Sequence, residues 1–399
     1  MATATVECGP GIAAPLTRVP SLVVISDRID WRDPVHDRAP HPAVDAEPWQ
    51  DATSPPPPVA GSYLERLPLA CIAAGIVAQA EIWHHQHGDN PEPFAAVDPR
   101  LGYRAFPLDR PEAPFDNRAM VDFVARFGAP HILVVYGLGV SADLLDACAR
   151  SVIIYNSIDA PALRVPPDVG ARFDLVLTGA QWQSDEVEAR HPGMATAILP
   201  VGPEFAAIDQ FRPLGSPKDY DLIYVAAAQG YKRHDLLLDA FERLPRDVRG
   251  LCLFGYGEDS DMIRHRIAER GLTIDCVGPP GVGIDEVNRL MNRARFGVVC
   301  GRDDGAPAIL TEYMLAGLPV LANSELTCGT QYIIPEVTGR LASPADFADA
   351  ILKMRSDAAG FRPRDTVLAQ WTWPHTIEKF QPMLAAAAIN KRRKLMSIY

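Results

Sequence analysis

Residues 296–322 read FGVVCGRDDGAPAILTEYMLAGLPVLA. The apolar run that ends at Cys300 predicts a strand, and residues 308–316 have the spacing of a helix. A second apolar run at 319–322 predicts another strand. Two parallel strands need a crossover connection, and a helix is the usual one. This stretch therefore predicts an α/β fold.

The same alternation of apolar runs and helical patterns occurs in two blocks. Predicted strands lie at 22–25, 81–84, 132–136, 152–155, 175–178 and 197–200 in the first block, and at 222–225, 250–254, 273–277, 296–300 and 319–322 in the second. Residues 202–218 are rich in glycine, proline and polar residues and are interpreted as a linker.

The prediction is therefore two Rossmann-like, doubly wound domains with a cleft between them. The N-terminal domain is assigned to 1–205, the C-terminal domain to 218–373, and a last helix with a basic tail to 374–399. In such domains ligands bind beyond the carboxyl ends of the strands.

Composition excludes several classes of protein. The net charge of −12 gives no general attraction to phosphate backbones, so nucleic acid is not an expected partner. Seven scattered cysteines without a CxxC pair argue for a reducing compartment. The sequence has no apolar run long enough for a membrane span, and residues 1–18 lack the pattern of a signal peptide. A cytoplasmic protein is expected.

A metal ion is not expected either. His84, His85 and His87 lie close together, but neighbouring residues of a strand point to opposite faces. The glycine pairs at 255–257 and 281–283 lack the third glycine of a dinucleotide fingerprint, so NAD is not an expected cofactor.

The loop within residues 304–312 has the features of an anion site. It is acidic, contains Gly305 and leads into the start of a helix near Ala308. Free N–H groups and the helix dipole at such a start favour a diphosphate. Glu312 lies about one turn further on, where its carboxylate can accept hydrogen bonds from sugar or ribose hydroxyls.

A second anion site is predicted in residues 224–241. A strand ends, a loop of small residues follows, and Lys232 and Arg233 stand at the start of the next helix. Cations are disfavoured at that end of a helix. A bound diphosphate removes the conflict.

Both stretches resemble retaining glycosyltransferases of the GT-B fold, specifically glycosyltransferase family 4. The loop resembles the E-x7-E region of that family, with Asp304 at the first glutamate and Glu312 at the second. The resemblance implies that the first carboxylate contacts the donor sugar and the second contacts the ribose. Asp303 is an alternative for the first role.

The other stretch is similar to the G-R-x4-K-G segment whose cations hold the donor diphosphate. Lys232 matches the lysine, whereas Ala227 stands at the arginine and Arg233 at the final glycine. Arg233 is the candidate replacement for the missing arginine. Lys232, Asp304 and Glu312 are therefore assigned the catalytic roles.

The resemblance also implies the activity. It implies sugar transfer from a nucleotide-diphosphate sugar to an acceptor hydroxyl, with retention of configuration and without a metal ion. It extends weakly to a Trp-containing last helix that crosses back to the first domain. The donor contacts that it implies are Gly230, Arg233, Gly255, Val277, Gly278, Gly305, Ala306, Pro307 and Ala308.

Acceptor contacts are expected in the N-terminal domain. Tyr136 and Gly137 follow one predicted strand, and Asn156 and Asp159 follow the next. Polar residues and glycines at these strand ends face the predicted cleft. The alternative is that they only form ordinary turns.

Two other functions fit the same fold. One is a sugar-nucleotide epimerase, which needs an acid/base cluster that the sequence does not show. The other is a non-catalytic sugar-nucleotide-binding protein, which the unusual residues Ala227 and Asp304 favour. The basic residues Lys391, Arg392, Arg393 and Lys394 are a candidate for weak contact with the anionic inner face of the membrane.

Overall fold

The structure is a computed structural model that describes residues 22–29, 61–86, 100–110, 112–305 and 307–397, with the side chains of 27–29 excepted. His87, Ala306 and the N-terminal segment 1–18 lie outside these ranges.

The first domain is built on a parallel sheet. Its described strands are β1 (Leu22–Ile29), β2 (Ala80–Gln86), β3 (Leu101–Pro107), β4 (Ile132–Tyr136), β5 (Val152–Asn156), β6 (Leu175–Thr178) and β7 (Thr196–Ile198). They lie in the order β3-β2-β1-β4-β5-β6-β7. Short apolar runs form these strands because both faces are covered, one by each of two apolar layers.

The second domain repeats the plan. Its strands are β8 (Tyr220–Val225), β9 (Gly250–Leu253), β10 (Ile274–Val277), β11 (Ala294–Val299), β12 (Val320–Asn323) and β13 (Gly339–Ala342). Their order is β10-β9-β8-β11-β12-β13, again with parallel pairing. The predicted pair of doubly wound sheets is confirmed.

Helices connect the strands and cover both faces of each sheet. The first domain contains α1 (Tyr63–Ala73), α2 (Arg118–Phe127), α3 (Ala142–Ala147), α4 (Pro167–Gly170) and α5 (Gln181–Arg190). The second contains α6 (His234–Glu242), α7 (Ser260–Glu269), α8 (Ile284–Asn292), α9 (Ile309–Leu315), α10 (Phe347–Asp357) and α11 (Pro363–Gln370). Helix α12 (Trp373–Met396) follows.

Strand β3 is absent from the predicted set because its sequence, LGYRAFP, combines glycine, arginine and proline. The structure shows why these residues fit a buried strand. Arg104 is buried and its guanidinium Nε and Nη2 bond the Glu81 carboxylate of β2 at 3.0 and 2.9 Å. Pairing of the two charges offsets much of the desolvation cost that makes an arginine unfavourable inside a sheet.

The predicted linker at 202–218 is packed in its first part. Residues 201–207 are buried. The carboxylate of Glu204 accepts hydrogen bonds from Tyr332 at 3.3 Å and Thr376 at 2.6 Å. Burial raises the pKa of this carboxyl group, and the two hydroxyl donors oppose the shift. The first part of the connection is thus fixed to Tyr332 of the second domain and to Thr376 of the last helix, Trp373–Met396.

Helix α12 returns to the first domain. It packs against α1 and β5, and Phe380 and Leu384 enter the same apolar layer as α1. Near its end the Lys391 ammonium bonds the Asp174 carboxylate at 2.9 Å, with both side chains largely buried. Lys391 is therefore engaged within the fold, whereas the rest of the basic cluster is exposed. None of the described helices combines the length and apolar character that a membrane span needs.

Lys391→Met is expected to lower the free energy of unfolding by about 3 kcal/mol, because it leaves the buried Asp174 carboxylate without its cation. Urea unfolding of the full chain measures the change. Lys394→Met, in an exposed residue on the same helix, is the control and should have little effect. The double variant Lys391→Met with Asp174→Asn should recover much of the loss; a loss equal to that of Lys391→Met alone would contradict the ion-pair explanation.

His234 begins α6 and is buried between two aromatic rings. Its ring lies 4.8 Å from the ring of Tyr224 and 5.3 Å from that of Phe254. Neither of its ring nitrogens has a hydrogen-bond partner among the described residues. Burial lowers the pKa of His234 from 6.5 to about 4, with an opposing effect of Asp235 and a reinforcing one of Lys232.

This histidine should make the protein sensitive to acid. Between pH 6.5 and about 4 the unfolded chain binds a proton at this ring that the folded protein does not, so stability falls as the pH falls through that window. His234→Phe removes this contribution and should flatten the decline. Urea unfolding at pH 7 and at about pH 5 tests it; an equal decline in both proteins would show that His234 does not contribute.

Candidate functional site

The two predicted donor motifs meet at one point of the second sheet. Strands β8 and β11 are neighbours, with Leu222 opposite Phe296 and Ile223 opposite Gly297. The sheet order reverses between them, so the loops that follow them flank the crevice where doubly wound folds bind ligands. Tyr313 of α9 ties the strand ends together, because its hydroxyl donates to the Ile223 carbonyl at 3.1 Å and accepts from the Val225 N–H at 2.7 Å.

Lys232 and Asp304 form an ion pair across this crevice. The Lys232 ammonium donates to Asp304 Oδ2, and the two side chains are 18% and 11% exposed. Burial lowers the pKa of Lys232, but the Asp304 carboxylate more than offsets it and the pKa is raised. Lys232 also lies 4.7 Å from the centre of the Tyr231 ring, and its carbonyl accepts a hydrogen bond from Tyr224. The cation is charged and held in place.

The same geometry bears on the choice between the two adjacent aspartates. Asp304 is buried against Lys232, whereas the neighbouring Asp303 is exposed. Asp304 is thus the carboxylate that faces Lys232, the cation predicted to bind the diphosphate.

Arg233 is oriented differently from Lys232. Its backbone is left-handed, with φ of 54° and ψ of 47°, where it precedes α6. Its guanidinium Nε donates to both carboxylate oxygens of Asp235 at 3.1 Å. The structure therefore brings Lys232 and Asp304 together but pairs Arg233 with a residue of its own helix.

Glu312 is bonded across the domain boundary. Its Oε1 accepts a hydrogen bond at 2.5 Å from Nη2 of Arg66, which lies in the first turn of α1. Arg66 is almost fully buried, and its other nitrogens donate to the carbonyls of Gly61 (Nε, 3.4 Å) and Gly202 (Nη1). The neighbouring Thr311 hydroxyl donates to the Pro203 carbonyl at 2.8 Å. The helix of Glu312 is therefore fixed to the first domain and to the connection.

Arg66 was not among the sequence-predicted site residues. One signal was available, because Glu65 and Arg66 interrupt an otherwise apolar helix and a charge buried there needs a partner. Glu65 meets that need locally, since it accepts from the Ser62 N–H at 2.5 Å and from the Tyr103 hydroxyl. The partner of Arg66 lies 246 residues away and follows only from the tertiary structure.

Gly305 lies where the two domains touch. A methyl group on it would overlap the backbone of Asp159, and one on Gly179 would overlap the Gly305 carbonyl. Two hydrogen bonds cross nearby, from Gln331 to the Gly179 carbonyl at 2.7 Å and from Trp182 Nε1 to the Thr327 carbonyl at 2.8 Å. The close approach predicted for Gly305 is therefore made, in this structure, by the first domain.

The helix start after Gly305 is only partly described. Ala306 lies outside the described residues, and Pro307 is buried and has no N–H to offer an anion. Ala308 is half-buried at the start of α9. Of the predicted amide donors at 306–308, the one that can be described is Ala308.

The remaining predicted donor contacts line the loops after β8, β9 and β10. Gly230 and Gly255 have open space where a side chain would stand. Val277 and Gly278 end β10 partly exposed, and the Gly278 carbonyl accepts a hydrogen bond from Arg264. Tyr256, which was not predicted, is 56% exposed between these loops. Its ring offers a surface for a nucleobase.

The predicted acceptor residues differ in accessibility. Tyr136 is completely buried, and its hydroxyl donates to the Tyr63 carbonyl at 3.3 Å. Gly137 is also buried, with φ of 57°. Asp159 is 32% exposed and pairs with Arg164 at 3.1 Å. A direct surface contact is therefore available only at Asp159 in this arrangement of the domains.

Asn156 is buried but unsatisfied. Neither its amide oxygen nor its amide nitrogen has a partner among the described residues. A buried amide without partners costs about 1–3 kcal/mol. An unpaired buried amide is unusual in a folded protein, and this one lies at the carboxyl end of β5, where doubly wound domains bind ligands.

His84 and His85 of β2 both contact other residues of the first domain. His85 Nε2 bonds the Gly139 carbonyl at 2.5 Å, and Nδ1 lies 3.2 Å from the Asn117 amide nitrogen. His84 stacks on Tyr103 with ring centres 5.8 Å apart. Within the described ranges no three His, Cys, Asp or Glu side chains converge as a metal site would require.

Chemically, the crevice pairs a fixed cation with acceptors for hydroxyl groups. Lys232 can neutralise a phosphate, and the carboxylates of Asp304 and Glu312 can accept hydrogen bonds from a sugar or ribose. The exposed aromatic ring of Tyr256 lies beside these groups. These are the components of a site for a nucleotide sugar.

A comparison with known protein families gives a match in the second domain. Residues 207–364 match the family model described as "Glycosyl transferases group 1". The matched region contains Lys232, Asp304 and Glu312. A search of curated proteins found no match.

Several solved structures have a similar fold. Sucrose-phosphate synthase from Thermosynechococcus elongatus aligns with a TM-score of 0.65 and 15% identity, over 95% of this chain and 100% of the other. Anabaena HepE in complex with UDP and glucose aligns at 0.62 and 13%, over 92% and 100%. TarM aligns at 0.58 and 14%, over 68% of this chain and 59% of its own length.

The predicted GT-B fold is therefore confirmed, since two parallel doubly wound sheets with the cleft between them match GT-B structures over nearly the whole chain. The C-terminal half of the protein is similar to the group 1 glycosyltransferases in sequence, and the two domains together have the GT-B fold.

Proposed function

We propose that this protein transfers a sugar from a nucleoside diphosphate sugar to an acceptor hydroxyl, with retention of anomeric configuration and without a metal ion. The observation that carries the proposal is the Lys232–Asp304 pair at the reversal point of the second sheet. In this proposal the pair supplies a cation for the diphosphate and a carboxylate for the sugar, and both residues lie inside the region that matches the glycosyltransferase family model.

The cation supplies the main electrostatic contribution. Negative charge develops on the diphosphate as the bond to the sugar breaks, and a fixed ammonium in a partly dry crevice stabilises it. Lys232 is suited to this because it is mostly buried and charged. Arg233 becomes a second phosphate ligand in this proposal if it exchanges Asp235 for the donor, which a rotation of the side chain permits.

The two carboxylates orient the donor. Asp304 accepts hydrogen bonds from the sugar, and Glu312 accepts them from the ribose. In this proposal the acceptor enters from the side of the first domain at Asp159, and it reaches the buried amide of Asn156 only in a more open arrangement of the domains. Positioning of the acceptor hydroxyl against the anomeric carbon provides the remainder of the rate enhancement.

The six described cysteines are free thiols, which supports a location in the reducing cytoplasm.

The test is a panel of UDP-, GDP- and ADP-sugars offered with and without simple hydroxyl acceptors. Transfer or slow hydrolysis of one donor class, with retained configuration in the product by NMR, is the expected result. Conversion of the donor into an epimer without any acceptor would identify the other enzyme class. Absence of binding to every nucleoside diphosphate would overturn the proposal.

Lys232→Ala is expected to lower kcat/KM about 10²–10³-fold, because one good donor to the departing charge contributes that much. Steady-state kinetics with the donor found in the panel measures it. Lys353→Ala, in an exposed lysine of α10, is the matched control and should leave the rate unchanged. A Lys232→Ala enzyme with the wild-type rate would contradict the phosphate role.

Asn156→Leu should separate stability from activity. Removing an unpaired buried amide should leave the free energy of unfolding unchanged or raise it by about 1 kcal/mol. The same change should raise the acceptor KM about tenfold, which corresponds to one lost hydrogen bond. Ile154→Val, two residues earlier on the same strand face, is the control: it should cost about 1 kcal/mol of stability without a change in KM. A stabilised Asn156→Leu enzyme with the wild-type acceptor KM would show that Asn156 is not an acceptor contact.

A further inference from the structure

We propose that Arg66 is a positioning residue that orients Glu312 for the donor ribose, and that it does so only when the two domains are together. The inference rests on the proposed function, because it assigns a partner to the carboxylate that would bind the ribose. It concerns a residue of the first domain, far in sequence from the region that matches the family model.

The guanidinium of Arg66 is fixed independently of Glu312. Its Nε and Nη1 donate to the carbonyls of Gly61 and Gly202, one before α1 and one in the connection between the domains. The side chain is 3% exposed, so these bonds are made away from competing water. Arg66 is therefore an anchored donor and not a flexible surface cation.

Only one oxygen of the Glu312 carboxylate is used by this anchor. Nη2 of Arg66 bonds Oε1 at 2.5 Å, and the structure shows no hydrogen bond from a described residue to Oε2. Glu312 remains 17% exposed. A carboxylate held by one oxygen presents the other in a fixed direction, which suits a hydrogen bond from a ribose hydroxyl.

The bond also joins the domains. Arg66 belongs to the first domain, whereas Glu312 lies on α9 of the second. Separation of the domains breaks the bond and frees the Glu312 side chain to rotate. Because ordering a side chain costs free energy, a ribose that meets a pre-oriented Glu312 binds more tightly than one that must order it. In this way, recognition of the ribose depends on closure of the two domains.

The experiment compares ribose with deoxyribose. Isothermal titration measures the affinity of the intact wild-type chain for UDP, GDP and ADP, and then for the 2′-deoxy and 3′-deoxy forms of the nucleoside diphosphate that binds. The wild type should prefer the ribonucleotide about tenfold or more over the analogue that lacks the bonded hydroxyl, as expected for a hydrogen bond to a charged group. In Arg66→Gln this preference should fall to about threefold or less.

Two further variants separate orientation from charge. Arg66→Lys keeps the positive charge but cannot make the three hydrogen bonds of the guanidinium at once, so it should also lose the preference for the ribonucleotide. Glu312→Gln should lose it as well, and adding Arg66→Gln to Glu312→Gln should change the preference no further. Trp182→Phe is the matched control, because it removes another bond between the domains, to the Thr327 carbonyl, without touching Glu312. Its preference should stay at the wild-type value.

Three results would overturn the role of Arg66. One is an unchanged preference for ribose in Arg66→Gln and Arg66→Lys. Another is an equal loss of affinity for ribo- and deoxyribonucleotides, which is the outcome of a merely structural residue. The third is tighter binding of the ribonucleotide by Arg66→Gln, which would make Arg66 a competitor for Glu312. If the wild type binds no nucleoside diphosphate at all, the proposed function fails and this inference fails with it.

Discussion

The reversal of strand order between β8 and β11 is the constraint on which the site depends. In the order β10-β9-β8-β11-β12-β13 the chain leaves β8 and β11 toward opposite faces of the sheet, so their loops diverge and open a crevice. The apolar runs that specify buried parallel strands thereby also fix where Lys232 and Asp304 meet, 72 residues apart in sequence. No specific long-range attraction between these two residues is needed to place them. The topology already brings the two partly buried charges together, and their ion pair only offsets the cost of burying them.

Charges in the cleft are compensated in pairs, and the pairs differ in what they join. Lys232–Asp304 lies within the second domain, whereas Arg66–Glu312 joins the two domains. A ligand that forms hydrogen bonds with these groups therefore meets polar atoms that are already oriented, which lowers the ordering cost of binding. Arg233 is the exception, because its partner Asp235 is 46% exposed and close in sequence. Exposed pairs of this kind contribute little, so Arg233 can exchange its partner at small cost.

Apolar patterns predicted five of the six strands of the second sheet and the strand-to-helix turns after β8 and β11, because apolar runs and such turns are local properties. Three features escaped prediction for physical reasons. Strand β3 was missed because Arg104 is tolerated there only through Glu81 of the neighbouring strand. Arg66 was missed because its partner lies in the other domain. Tyr136 and Asn156 lie at strand ends as predicted, but the sequence could not show that both are buried; Tyr63 of α1 packs on the Tyr136 ring, with ring centres 5.7 Å apart.

The two domains contact each other through backbone as much as through side chains, and this limits what the cleft tolerates. Gly305 packs against the backbone of Asp159, and Gly179 packs against the carbonyl of Gly305, so a larger residue at either glycine would overlap the backbone of the other domain and favour separation of the two. Separation moves Glu312 away from Arg66, whereas Lys232 and Asp304 stay together because both belong to the second domain. A substitution at Gly179 and a substitution at Lys232 therefore damage different halves of the site. The first acts on the groups that need closure, and the second acts on the cation that is in place whether the cleft is open or closed.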